Sequence, residues 1–366
     1  MPNYLVYLFI LLFNPFQASI FSDKHSQSAD AVDSIVREFY EQEKFNGVIL
    51  LAKGDSILYT GSYGKANFEW SIPHSPDSKF RIASITKTFT AALTLRLIED
   101  GYLSIDDLVT DHLTDYPART GDKITIEHLL EQSAGIPDYI SLPGFLNSNA
   151  FLKHNTDSFP EYFKDLELNF EPGSDWDYGN SEYYLLGLII EKVTGMCYQQ
   201  AMEMYLLRPA GLKQTGFVTE DGVIPNYSGG YSRDESGLKI APVIHPSVCF
   251  SAGMMYSTAL DLHRFVRALY RDKKILSDQS TDIMTTQRLA DYGLGVFVGD
   301  QVIGGKRYSA LLHMGEIYGY TSQVSYFPEN DYTVIILDNT QKCPSRLYFA
   351  IMDLLPDFHI MEVAGS

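Results

Sequence analysis

Ser84-Ile-Thr-Lys-Thr-Phe-Thr-Ala-Ala-Leu-Thr-Leu-Arg-Leu-Ile-Glu-Asp-Gly101 is the stretch from which the architecture of this 366-residue sequence can be read. Phe89, Ala92, Leu93, Leu95 and Leu97 follow a helical pattern, and Gly101 stands where a helix C-terminus favours glycine. The spacing predicts a long amphipathic helix from Ser84 to Asp100. Upstream, Asp30 to Phe45 carries Val32, Ile35, Val36 and Phe39 at helical spacing. Gly47 to Ala52, a Lys53-Gly54-Asp55 turn and Ser56 to Thr60 then read as a β-hairpin. Downstream, Leu103 to about Asp272 is mostly helical in pattern. Tyr292 to Val298, Tyr320 to Phe327 and Tyr332 to Leu337 read as strands, and Ser345 to Leu355 as a closing helix. This order predicts an α/β (α+β) protein in which the C-terminus completes an antiparallel sheet flanked by helices. The α/β lobe is expected over residues 23–102 and 281–366, with a mostly helical lobe, 103–280, inserted and a site in the cleft between lobes.

Bulk properties exclude several classes. Hydrophobic residues make up 45% of the chain, too many for a disordered protein. The formal net charge of −18 repels phosphate backbones, so no nucleic-acid partner is expected. The apolar run Tyr4 to Phe13 matches a signal-peptide core of roughly 7–15 residues. It is far short of the ~20 needed to span a bilayer. Residues 1–22 are therefore expected to be a signal peptide cleaved between Ala18 and Ser22, and the protein to be secreted or periplasmic without a stable membrane span. Cys197, Cys249 and Cys343 are sparse and odd in number, so a disulfide framework is not expected and buried thiols are. The nine histidines are scattered and no His-Glu-x-x-His or Cys cluster occurs, so neither a metal nor a cofactor is expected. No Gly-x-Ser-x-Gly or phosphate-binding loop is present either.

Ser-x-x-Lys occurs three times, at Ser62/Lys65, Ser84/Lys87 and Ser236/Lys239, against roughly one or two chance matches expected. Only the second opens a long helix. There Lys87 lies one turn after Ser84 and can reach its hydroxyl. A free serine hydroxyl needs such a base to become a nucleophile, and desolvation of the amine lowers its pKa toward that task. An N-cap serine with an exposed lysine would produce the same pattern. A second element is Tyr178-Gly-Asn180 in the turn before the apolar segment Tyr183 to Val193. A phenol can relay a proton and an amide can hold a lysine or a carbonyl. A third is His313-Met-Gly315, predicted at a strand edge ending in glycine. The backbone N–H groups of Glu316 and Ser84 would then form an oxyanion hole.

These elements, in this order, resemble the serine β-lactamases and penicillin-recognising serine hydrolases, above all the class C-like branch with D-alanyl-D-alanine carboxypeptidases and related esterases. Phe80 to Lys87, Leu97 to Asp107, His128 to Tyr139, Phe170 to Gly187, Ser251 to Asp261 and Asn339 carry the likeness, over residues 30 to 355. The resemblance implies the β-lactamase/transpeptidase-like fold. It also implies that Ser84 attacks, Lys87 and Tyr178 share the acid and base work, and Asn180 orients, with His313 and Gly315 in the place of a Lys-Thr-Gly motif. Lysine and threonine there would grip a substrate carboxylate, whereas Met314 has no hydroxyl and Glu316 adds negative charge. The expected activity is therefore hydrolysis of an amide or ester, of D,D-peptidase, D-amino-acid peptidase or esterase type, with weak or no β-lactamase activity. Expected ligands are a cell-wall peptide, an ester or a β-lactam. An efficient class C-like β-lactamase and a non-catalytic peptide- or β-lactam-binding sensor protein on the same fold are the alternatives.

Overall fold

The computed structural model of the protein describes residues 29–303, 305–341 and 345–354. The expected signal peptide and Cys343 lie outside the described residues. Helix α1 (29–41) is followed by strands β1 (Gly47–Lys53) and β2 (Ser56–Tyr63) and by helix α2 (Ile85–Glu99). After the inserted segment come β3 (Phe297–Ile303), β4 (Lys306–Ile317), β5 (Tyr320–Phe327), β6 (Tyr332–Asp338) and the closing helix Ser345–Met352. The six strands form one sheet in the order β3-β4-β5-β6-β1-β2, and every neighbouring pair is antiparallel. The last strand thus pairs with the first, Asp338 opposite Gly47.

The run Val48-Ile-Leu-Leu51 is buried throughout because both faces of the sheet are covered. Val48 and Leu50 join Ile335 and Leu337 in the core shared with α2. Ile49 and Leu51 join Val334 and Ile336 on the other face, against Val32 and Val36 of α1 and Leu347 and Ile351 of the closing helix. The expected antiparallel sheet between helices is present, and no described helix is long and apolar enough to cross a membrane.

Five expectations are corrected. Helix α2 is not amphipathic: it is buried on nearly every side, between the sheet and the helices of the inserted segment. Its threonines face protein rather than water and are satisfied there, Thr88 on the Gly295 carbonyl (2.7 Å) and Thr90 on the Ser251 carbonyl (2.6 Å). The strand expected from Tyr292 begins only at Phe297, because residues 293–296 form a turn closed by Gly293 N–H on the Val296 carbonyl. Strand β4, seen in sequence only as His313 to Gly315, runs for 12 residues and does not end at the glycine. Cys197 is exposed rather than buried, and both it and Cys249 are free thiols. Helix Ala259–Val266 packs on β1 and β6, although its sequence position lies in the segment assigned to the helical lobe.

The strand that borders the site is held by one close approach. A Cβ on Gly315 would lie 2.1 Å from the Ile82 carbonyl oxygen and 2.5 Å from Ser322 Oγ. Ser322, paired with Gly315 across β4 and β5, donates to the same Ile82 carbonyl at 2.9 Å. Only glycine lets β4 sit against the residues that lead into Ser84. Gly315→Ala is expected to push the strand away and to cost about 1–3 kcal/mol of stability, together with most of the activity. Urea denaturation and an ester-hydrolysis assay on the same preparation check this, and an alanine variant of unchanged stability and activity would contradict it.

Candidate active site

Ser84 caps helix α2 and is partly exposed, two residues beyond the Ile82 contact. The intervening Ala83 has φ 44°, in the left-handed region that non-glycine residues avoid. That turn swings the chain from the short strand Phe80–Arg81 into the helix and leaves the Ser84 hydroxyl facing the cleft. Lys87, one turn on, is fully buried with its Nζ 3.1 Å from Ser84 Oγ. The Lys87 amine also donates to Asn180 Oδ1 at 2.8 Å and to the Ala252 carbonyl at 3.3 Å. It lies 4.8 Å from the centroid of the Tyr178 ring.

Burial lowers the Lys87 pKa from 10.5 to about 7, against the opposing pull of Asp138 and Cys249. Burial pushes the Tyr178 phenol above its usual range, and hydrogen bonding to Ser84 draws it partly back. Near neutral pH the amine is thus partly unprotonated while the phenol keeps its proton. The turn carrying Tyr178 is braced by Gln132, which accepts from Gly179 N–H at 2.8 Å and donates to its carbonyl at 3.1 Å.

His313 lies on β4 with its side chain turned inward and buried. Its Nδ1 donates to the Met314 carbonyl at 2.8 Å, which leaves Nε2 to accept from Tyr292 OH at 3.3 Å. Burial, with the nearby Lys87 charge, holds its pKa at about 3, so the ring is neutral at every pH where the protein would work. The third element therefore supplies no cation. Met314 and Glu316 alternate to the exposed face of the strand, and Gln341 Nε2 donates to Glu316 Oε1 at 3.2 Å. Strand β3 pairs with β4 only as far as Leu312, so residues 313–317 present an edge without a strand partner on that side.

Two hollows meet at Ser84. One, of about 520 Å³, is walled by Trp176, Tyr178, Phe297, His313 and Met314. The other, of about 210 Å³, is walled by Ile140, Leu146, Ile244, Val248 and Tyr318. Asn180 and Glu316 border both. Among the described residues lining them, Asp138 and Glu316 carry the formal charge and none is lysine or arginine.

All seven residues singled out in the sequence, Ser84, Lys87, Tyr178, Asn180, His313, Gly315 and Glu316, come together at this cleft or directly beneath it. The other two Ser-x-x-Lys pairs do not. Ser62 lies on β2, and Ser236 lies in a surface hairpin where Lys239 pairs with Asp234 at 2.6 Å. Sequence reasoning missed Asp138, Gln132 and the Ala252 carbonyl. Asp138 and Asn180 are 42 residues apart, and only the fold joins them. No group of described residues has the makings of a metal site.

The Beta-lactamase family profile matches residues 32–348. A penicillin-binding protein of Bacillus subtilis (strain 168) is 31% identical over 321 residues, covering 82% of this chain and 70% of the relative. Among solved structures, a penicillin-binding protein from Bacillus halodurans superimposes with a TM-score of 0.76 at 28% identity, covering 90% of this chain and 98% of that one. A D-stereospecific amidohydrolase from Streptomyces sp. gives 0.74 at 26% identity, covering 89% and 98%. The serine and lysine at the start of a buried helix, the sheet closed by its last strand and a match over most of the sequence have one account: this chain belongs to the β-lactamase family and carries the β-lactamase/transpeptidase-like fold.

Proposed function

We propose that this protein is an extracytoplasmic serine hydrolase that forms an acyl-enzyme on Ser84 and cleaves an amide or ester. The observation that carries the proposal is the buried Lys87 amine, 3.1 Å from the Ser84 hydroxyl and with a pKa near 7. Neutral Lys87 takes the Ser84 proton as Oγ bonds to the substrate carbonyl carbon. The carbonyl oxygen gains the negative charge and rests on the Ser84 and Glu316 backbone N–H groups, a role suited to the open strand edge at residues 313–317. Collapse of that adduct breaks the bond to the leaving group, which departs with a proton relayed from Lys87 through Tyr178. A water then repeats the sequence on the ester and frees Ser84. Tyr178 suits the relay because its raised pKa keeps the phenol protonated.

The substrate class follows from charge. The cleft has Asp138 and Glu316 but no lysine or arginine along its described lining, and His313 is neutral. A required substrate carboxylate finds no counter-ion among those described residues. Neutral acyl groups with an apolar or aromatic part suit the aromatic and aliphatic walls on either side of Ser84. This favours peptidase, amidase or esterase chemistry over β-lactam hydrolysis.

Ser84→Ala is expected to reduce hydrolysis by at least about 1,000-fold and to abolish labelling by a fluorophosphonate or penicillin probe. Mass spectrometry of labelled tryptic peptides locates the adduct, and labelling at another residue would refute the assignment. A single stoichiometric burst without turnover would instead identify a binding or sensor protein.

The pH dependence has a defined sign. Because the base must be neutral, kcat/KM is expected to rise with pH through an acid limb near 7, set by Lys87. A flat profile between pH 5 and 9 would remove Lys87 as the base (about two units either side of its pKa).

Finally, a neutral short-chain aryl ester or a D-amino-acid amide is expected to outpace a chromogenic cephalosporin by at least about 10-fold in kcat/KM. The reverse order would mean that carboxylate recognition does not need a charged third motif.

A further inference from the structure

Asp138 is a half-buried carboxylate on the wall of the cleft that the chemistry above leaves without a role. Its Oδ1 accepts from the Asn180 backbone N–H at 3.1 Å. Its two oxygens also accept from the Asn180 side-chain nitrogen, at 3.3 and 3.1 Å. The carboxylate also accepts a longer contact from Ile140 N–H at 3.4 Å. An ionised carboxylate only accepts. The Asn180 amide must therefore turn its NH2 toward Asp138 and its oxygen toward Lys87, where it lies 2.8 Å from Nζ.

That orientation decides what Lys87 can do. An ammonium has three hydrogens and no lone pair, whereas a neutral amine has two hydrogens and one lone pair. Of the three oxygens around Nζ, Asn180 Oδ1 and the Ala252 carbonyl can only accept, and Ser84 Oγ can also donate. In the neutral amine the two pure acceptors take both hydrogens. The lone pair is left facing the Ser84 hydroxyl. With the amide reversed, its NH2 would compete for that lone pair.

We infer that Asp138 is a positioning residue for acylation: by holding the Asn180 amide in one orientation, it aims the lone pair of neutral Lys87 at the Ser84 hydroxyl. The inference rests on the acyl-transfer reading and adds a residue to it. Burial raises the Asp138 pKa, and the bonds from Asn180 and the charge of Lys87 pull it back. The titratable groups around Lys87 are Asp138, Cys249, Tyr178, Tyr183 and His313, and Asp138 is the carboxylate among them. Its loss therefore lowers the Lys87 pKa further.

The test is a double-mutant cycle on the full chain, with Asp138→Asn, Asn180→Ala and the double variant, read as kcat, KM and pH profile on a neutral aryl ester. Asp138→Asn is expected to lower kcat about 100-fold with KM little changed. Its acid limb should move to lower pH. In the Asn180→Ala background the same substitution should cost far less, because the two residues act through one amide. Additive losses, or an acid limb and rate like those of the wild type, would overturn the inference. Asp138→Ser provides a second variant lacking the charge, and thermal melts report folding. If neither variant folds, Asp138 belongs to the scaffold and the inference fails. Ser84→Ala run alongside keeps the two questions apart: ester hydrolysis that survives it defeats the acyl-transfer reading itself, whatever Asp138 does.

Discussion

A primary amine with no exposed surface beside a hydroxyl is the constraint on which the rest of this structure depends. Water would hold Lys87 as an ammonium at neutral pH. Inside the protein its pKa falls from 10.5 to about 7, which corresponds to roughly 5 kcal/mol against the charged form. Two carbonyl oxygens and two aromatic ring faces receive the amine, and the nearest carboxylate is kept one residue away behind the Asn180 amide. Had Asp138 touched Lys87 directly, an ion pair would have fixed the proton on the amine and removed the base. The inserted amide transmits orientation while weakening the charge.

Such dryness requires that helix α2 be central. Its burial on almost every side follows from its place between the sheet and the inserted helices, and its threonines close their hydrogen bonds within the protein. The pieces of the cleft then approach as closely as backbones allow. Gly315 meets the Ile82 carbonyl, Gln132 grips both polar groups of Gly179, and Ala83 takes a left-handed turn. A non-glycine residue at such an angle costs on the order of 1–3 kcal/mol, which the surrounding packing must offset. Strain of this kind gathers here at the turn that presents the Ser84 hydroxyl to the cleft.

The strand beside Ser84 carries Glu316, one of the two residues from which this cleft acquires its charge. His313 contributes to the wall of the cleft, but its buried ring is tied to Tyr292 and to its own strand. The exposed positions next to it are Met314 and Glu316. Among the described residues lining the cleft, the formal charge is therefore negative, from Asp138 and Glu316. That related structures carry the names penicillin-binding protein and D-stereospecific amidohydrolase agrees with a fold that does not dictate the substrate.

The order of strands and helices, the nucleophile helix with its glycine stop and the motif residues Ser84, Lys87, Tyr178 and Asn180 were legible in the sequence. Each is a local pattern: a periodicity, a cap or a short spacing. The start of a long helix set Ser84 apart from the other two Ser-x-x-Lys pairs, and the resemblance to a known family strengthened that choice. Only the tertiary structure decided the rest. Strand β4 was mostly hidden because its first third, Lys306 to Ser309, is largely polar and lacks alternating burial. The all-round burial of α2 was hidden because threonine reads as a surface residue until its hydroxyl is seen to find a carbonyl. Asp138 and the Ala252 carbonyl carry no local mark, since their meaning is a contact made across the fold. The sequence determined which groups are available, because chemistry is written in side chains. Which of them is dry, how an amide is turned and where a lone pair points are properties of packing, and packing exists only once distant segments have met.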